Sequence, residues 1–291
     1  MNTALLAQGV SEIMTYSFIS PKYYDKIGLS PDSALRDSVT IRNPLGEDTS
    51  VMRTTTIPSM LEVLARNYNN RNASVRLYEI GTQYRPQGDQ LPIESDTITV
   101  GMYGGGCDFF TLKGVLEVLL DALNVPNWEI HAESGNPTFH PGRCGVLTVE
   151  GETLGVLGQV HPKIAGGYEI DTPVYLANLS VDALFAHRGA EKSYRPLPKY
   201  PATTRDIAVL CDEDLPVGEM EKAISGACGK ILERVELFDI YRGEQIPQGK
   251  KSVAFNIVMR SAEATLTDEE IEAAVKRVLK ALEKLGAALR M

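Results

Sequence analysis

Asp239, Tyr241 and Ser252 bring a carboxylate, a phenol ring and a hydroxyl into one stretch, "VELFDIYRGEQIPQGKKSVAFNIVMRS" at 235–261. It reads as two strands around a turn marked by Gly, Pro and Gly. Side chains along a strand point alternately to opposite faces. On the first strand Phe238 and Ile240 then share one face, and Asp239 and Tyr241 the other. On the second, Val253, Phe255, Ile257 and Met259 lie opposite Ser252, Ala254 and Asn256. One face reads as core; the other carries an acid, a ring, a hydroxyl and an amide. An aromatic ring can stack a single-stranded base while neighbouring side chains read its edge. A carboxylate only accepts hydrogen bonds, so it suits the N1–H and N2–H₂ donors of guanine. The other reading of these residues is a plain solvated sheet face. Arg242, Lys250 and Lys251 surround the turn; they could contact phosphates or form an ordinary exposed basic loop.

The remaining candidates carry less chemistry. Gly104, Gly105 and Gly106 lack the lysine and hydroxyl that complete a G-x-x-x-x-G-K-[ST] phosphate loop, and read as a turn. His131, His140, His161 and His187 are scattered, with no i, i+4 pair of the kind that binds zinc on a helix. His140 and His161 precede proline, which places them at turns rather than beside a nucleophile. Cys107, Cys144, Cys211 and Cys228 form no C-x-x-C pair and read as structural thiols, so no metal site is expected.

These groups must be positioned by the rest of a 291-residue chain, long enough for about two domains with sizeable cores. Its net charge of −9 argues against a generally adhesive nucleic-acid binder, so any RNA contact must be local. No apolar run approaches the ~18 residues of a membrane span. The opening "MNTALLAQGVSEIMTYSF" lacks a basic region and a cleavage pattern, so a cytoplasmic location is expected. The proline-rich, charged stretch "HRGAEKSYRPLPKYP" at 187–201 suits a linker. We take domains at 1–190 and 199–291, with 191–198 between them. Residues 199–291 carry 14 Lys and Arg against 16 Asp and Glu, a net of −2.

The second domain has a clear order. "RDIAVLC" (205–211) reads as a strand, 217–228 as a helix with Met220, Ile224 and Cys228 on one stripe, and then comes the hairpin. Thr267 and Glu270 form a capping box that opens a helix over 268–285. Ile271, Val275, Val278, Leu282 and Leu285 give that helix its stripe, Gly286 stops it, and "AALR" closes the chain as a strand. Strand, helix, strand, strand, helix, strand is the ferredoxin-like arrangement, with two helices on one sheet face. The acid-and-aromatic side would be the uncovered face. The first domain mixes helices at 58–69 and 111–123 with strands at 74–84, 96–104, 145–151, 153–160 and 173–179. Tight glycine turns such as "EGET" (150–153) imply an antiparallel sheet with helices packed on it, an α+β architecture.

Several blocks together resemble a family. "KYPATTRDIAVL", "LFDIYRG", "IPQGKKSVAF", "TLTDEE" and the closing "LR" are similar to the anticodon-binding domain that ends the bacterial phenylalanine-tRNA ligase beta subunits. "EIMTYSF", "NPLGEDTSVMRTTTIPSMLEVLARN", "VRLYEIGTQY", "DFFTLKGVLE", "HPGR" and "LGQVHP" resemble the catalytic-like, class II synthetase-like module that precedes it. The resemblance covers essentially the whole chain. The family's beta subunit has further domains toward its N-terminus, so the chain is expected to be its C-terminal part. The resemblance implies that the open face takes the first anticodon base, a guanine, at Ala208, Asp239, Tyr241 and Ser252. It implies an alpha subunit partner in a heterotetramer of two alpha and two beta chains, with the stripe Met60, Leu64 and Tyr68 at or beside that interface. The whole ligase would use ATP and Mg²⁺ to join phenylalanine to tRNA, with no DNA or membrane partner. Arg76 and Glu79 in "VRLYEIG" mimic the second class II motif, but "PVYLANLSVDALFA" (173–186) holds neither the glycines nor the arginine of the third. A phosphate clamp needs both cations. The chain alone is therefore expected to supply no catalytic residue and to bind no cofactor, and Arg76 with Glu79 would be a structural or interface pair. A different class of function, an amino-acid-sensing regulator, also uses ferredoxin-like domains, usually in pairs; a third is a structural subunit with no RNA role.

Overall fold

The computed structural model describes residues 1–194 and 196–290. Arg195, inside the expected linker, lies outside the described residues. The chain divides into two compact units, Met1–Lys192 and the residues from Ser193 onward.

In chain order the first unit contains α1 (Asn2–Ala7), β1 (Ser11–Glu12), β2 (Phe18–Ile19), α2 (Tyr23–Lys26), β3 (Val51–Met52), α3 (Ile57–Asn69), β4 (Val75–Gln87), β5 (Gln90–Tyr103), α4 (Phe109–Ala122), β6 (Trp128–Ala132), β7 (Phe139–Val149), β8 (Glu152–Val160), α5 (Pro162–Gly167), β9 (Val174–Ser180) and α6 (Val181–Ala186). Its main sheet runs β1-β4-β5-β9-β8-β7-β6. Every neighbour pair in it is antiparallel except β1 with β4. The turns explain much of this. Glu150 and Gly151 both have positive φ, 52° and 85°, which is the backbone a two-residue hairpin turn requires. Leu5 of α1 and Leu112, Leu116 and Leu119 of α4 bury one sheet face together with Val100, Leu157 and Ala177. On the opposite face, α3 packs Met60 and Leu64 against Gly101, where a Cβ would come within 2.7 Å of Met60 Cγ.

That packing corrects the expectation for the helix stripe. Met60 and Leu64 are fully buried in this chain's own core, and Tyr68 meets Tyr103 edge-on at 5.7 Å. A heptad-like stripe marks the buried face of a helix but not the element that buries it. Here that element is the chain's own sheet.

The second unit contains β10 (Thr203–Asp212), α7 (Val217–Cys228), β11 (Leu232–Tyr241), β12 (Lys250–Met259), α8 (Asp268–Glu283) and β13 (Ala288–Leu289). The sheet order is β11-β12-β10-β13, all antiparallel, the ferredoxin-like arrangement the sequence pattern calls for. Thr267 caps α8, and Glu270 returns to the Thr267 backbone N–H at 2.8 Å. Gly286, at φ 79°, lets the chain turn out of α8 toward β13. Ile207, Val209, Val253, Phe255 and Ile257 form the core face of the sheet with Met220, Ile224, Ile271, Val278 and Leu282 from the two helices. The mixed α+β architecture is thus the one the sequence pattern implies.

Candidate functional site

The face of the second sheet opposite its helices is built in rows across the strands. Asp239 stands opposite Ala254, and Ala254 opposite Ala208. Tyr241 stands opposite Ser252, and Ser252 opposite Leu210. Two alanines in a row leave a shallow floor beside an acid and a ring. The other acids here have partners: Glu236 pairs with Arg234 at 2.9 Å, and Asp206 accepts from Asn256 Nδ2 at 2.6 Å. Asp239 is exposed and has no hydrogen bond or ion pair among the described residues. An exposed carboxylate keeps its charge and its acceptor sites at little cost, ready for a donor. The Tyr241 ring is 39% exposed. Gly243 sits against its hydroxyl: a Cβ there would come within 2.2 Å of Tyr241 Oη. The glycine in "DIYRG" is therefore what allows the ring its place.

The structure brings Ala208, Asp239, Tyr241 and Ser252 onto one surface, and Arg290 joins them there. The guanidinium of Arg290 lies 5.4 Å from the Tyr241 ring centroid. Its Nη1 is 3.4 Å from Ser252 Oγ, which is buried, and its Nη2 is 3.4 Å from Gln245 Oε1. In the sequence the closing "LR" stands out only through the family resemblance. Its meaning appears once β13 is seen to pair with β10, which brings the chain end alongside this face.

Two expectations for the hairpin are corrected. Phe238 does not join the core with Ile240: it is 59% exposed. The register shifts between Leu237, opposite Phe255, and Asp239, opposite Ala254, so Phe238 is an extra residue on an edge strand. A bulge of this kind breaks the alternation and re-aims a side chain. Lys251 is not available to phosphate. It is buried, and its Nζ donates to the carbonyls of Glu213 and Leu215 at 2.8 and 2.7 Å. Its parity with Val253 and Phe255 already placed it on the core side of the strand. Arg242 and Lys250 stay at the surface, paired with Glu213 at 2.8 Å and Asp212 at 2.7 Å.

In the first unit Arg76 and Glu79 do not pair, since three positions apart on a strand they face opposite sides. Glu79 is instead buried against Arg53, Nη1 to Oε1 at 3.1 Å. The Thr15 hydroxyl donates to Glu79 at 2.8 Å and accepts from Arg53 Nη1 at 2.7 Å, while Arg53 Nε donates to the Thr82 carbonyl at 3.0 Å. The cluster ties three distant segments together and presents no open position. His140 and His161 stack at 6.4 Å, each ring accepting a backbone N–H two residues on. All four cysteines are free thiols.

Comparison with known proteins agrees with this layout. Residues 198–290 match the family described as the ferredoxin-fold anticodon binding domain. Residues 1–181 match the phenylalanyl tRNA synthetase beta chain CLM domain. The chain is 47% identical over 289 residues to the phenylalanine–tRNA ligase beta subunit of Clostridium tetani, covering 98% of this chain and 36% of that protein. It is 48% identical to the same subunit of Clostridium acetobutylicum, again covering 98% and 36%. It thus spans about a third of the length of these curated relatives. Pyrrolysyl-tRNA synthetase from Desulfitobacterium hafniense shares the fold, with a TM-score of 0.52 at 19% identity over 63% of this chain and 64% of that one. With residues 1–181 matched by the CLM domain and 198–290 by the anticodon-binding fold, the chain belongs to the phenylalanyl-tRNA synthetase beta chain family.

Proposed function

We propose that the second unit, from residue 199, reads the anticodon region of tRNA for a phenylalanine-tRNA ligase. The observation that carries this is the unpartnered carboxylate of Asp239 beside the Tyr241 ring, over a floor of Ala208 and Ala254. The ring stacks the first anticodon base, Asp239 accepts from guanine N1–H and N2–H₂, and Ser252 lies at the edge of the site. Arg242 and Lys250 contact the RNA backbone, each releasing a carboxylate to do so. Residues 1–190 act as a non-catalytic module that scaffolds the alpha subunit, and 191–198 join the two. Support for that role is the exposed apolar side chains of Met14, Tyr16 and Leu45, in two of the blocks that resemble the family. ATP and Mg²⁺ are used by the ligase in the cytoplasm, through its alpha subunits. This chain supplies no adenylate chemistry, since β9 and α6 hold neither glycine nor arginine.

The test is binding of guanine-bearing and adenine-bearing anticodon stem-loops to the assembled ligase. Tyr241→Ala is expected to lose ~1–3 kcal/mol of binding, and Tyr241→Phe much less. Asp239→Ala is expected to narrow the preference for guanine, because adenine lacks both donors that the carboxylate takes. Equal, small effects from both positions would leave the face merely solvated.

A further inference from the structure

The main sheet of the first unit turns polar and open where α3 no longer covers it. Met60 and Leu64 lie over Gly101, and the Arg53 guanidinium lies over Gly81. Gln83 is the next residue of β4 on that face, and Arg85 follows it. Ser95 of β5 stands opposite Gln83, and Ser180 of β9 stands opposite Thr97. Together with Asn178 they line an open cleft of about 410 Å³, a size that suits a small molecule. Gln83 is only 8% exposed, yet its amide has no hydrogen bond among the described residues. A buried amide without a partner costs free energy that a ligand can return. Asn178 Nδ2 lies 3.0, 2.9 and 2.8 Å from the hydroxyls of Thr56, Thr97 and Thr99, which fixes the side chain and leaves Oδ1 without a partner among the described residues. Ser180 Oγ accepts the Ala183 N–H at 3.1 Å and keeps its own O–H to donate. Arg85 is exposed and has no ion pair among the described residues. No such open carboxylate faces it. Alternation turns Glu94 and Asp96 to the other side, where Asp96 accepts from the Thr82 hydroxyl at 2.8 Å, and Glu79 is held by Arg53. The cleft therefore offers one unpaired cation beside uncharged donors and acceptors. A zwitterion would find no counter-charge there for its ammonium group; an anion with hydroxyl groups finds a partner for each part.

We propose that this cleft binds a small organic anion bearing hydroxyl groups, a sugar acid or a sugar phosphate. The planar fork of Arg85 takes the carboxylate or phosphate. The Gln83 amide, Asn178 Oδ1 and the Ser95 and Ser180 hydroxyls take the hydroxyl groups. The proposal concerns the first unit and does not depend on how the second unit reads RNA.

The experiment titrates the full chain with D-gluconate and with ribose 5-phosphate by calorimetry, with acetate, inorganic phosphate and ribose as the separate halves. At least one of the two anions is expected to bind with a Kd of about 1 mM or below, and the separate halves much more weakly. Preference for one anion over the other distinguishes a carboxylate from a phosphate ligand. Arg85→Gln should weaken binding about ten-fold or more, and Gln83→Leu about three- to ten-fold. Gln83→Leu should also leave the unfolding midpoint of the free chain unchanged or higher, because it replaces an unpartnered buried amide with an apolar group of similar size. A lowered midpoint would make Gln83 structural, and the proposal would then stand or fall on Arg85→Gln, at an exposed position. Absence of binding by both anions, equally tight binding by the separate halves, or binding unaltered by Arg85→Gln overturns the proposal.

Discussion

Arg53 and Glu79 are each 2% exposed, and they satisfy each other through the Thr15 hydroxyl. Removing one partner leaves the other charge buried and uncompensated, at about 3–5 kcal/mol. Glu79→Gln should therefore lower the thermal midpoint of the first unit sharply, read by calorimetry. Gly81 lies over the same pair: a Cβ there would sit 2.3 Å from Arg53 Nη2, so Gly81→Ala should destabilise by about 1–3 kcal/mol through the same cluster. The thiols show how burial sets reactivity. Burial pushes the Cys144 thiol up to about 11, and pushes Cys211 and Cys228 upward as well. The reactive species is the thiolate, so a raised pKa suppresses reaction near neutral pH. Cys107 is the half-exposed thiol of the four. Alkylation of the native protein should label Cys107 first, with the others following only as pH rises or the protein unfolds; peptide mapping gives the order.

Among the elements, α3 and β11 respond to substitution in opposite ways. Leu64 is fully buried between α3 and the sheet, so Leu64→Glu places a charge in the core. The expected result is loss of the first unit's cooperative unfolding transition, not merely loss of a partner. Phe238 looks like a core residue by alternation, yet the bulge puts it at the surface. Phe238→Ser should then change stability by no more than about 0.5 kcal/mol, as surface substitutions usually do. A large loss in denaturant unfolding would mean that the bulged strand is not the solution form. The bulge also has a constructive effect: Asp239 and Tyr241 return to register opposite Ala254 and Ser252 immediately after it.

For the molecule as a whole, the first unit exposes Met14, Tyr16 and Leu45, with Tyr16 stacked on Phe18 at 4.9 Å. The proposed scaffolding role assigns these exposed side chains to the contact with alpha, where burying them would be favourable. Co-expression of alpha with Met14→Asp or Tyr16→Asp beta subunit should yield much less co-purified alpha, while the beta subunit keeps its unfolding midpoint. Undiminished recovery would place the alpha interface elsewhere on the unit. The same comparison made with Leu64→Glu would report misfolding instead, so the two substitutions distinguish a docking surface from a core.

Local pattern was sufficient for most of the elements. Alternation marked the strands, the Thr267–Glu270 capping box and its stripe marked α8, and glycines marked the turns, because each of these is set by residues within a few positions of one another. The same locality made Asp239 and Tyr241 legible as a pair on one face. What only the tertiary structure decided were partnerships across the chain. Nothing near Glu79 in sequence names Arg53, and nothing near Met60 and Leu64 says that their own sheet covers them. Alternation already turns Lys251 inward, but only the fold supplies the Glu213 and Leu215 carbonyls that receive it. Arg290 reaches Tyr241, nearly fifty residues earlier in the chain, because β13 pairs with β10 and brings the chain end alongside the same face. Periodicity tells which way a side chain points, but what it meets there depends on how strands and helices far apart in sequence are brought together.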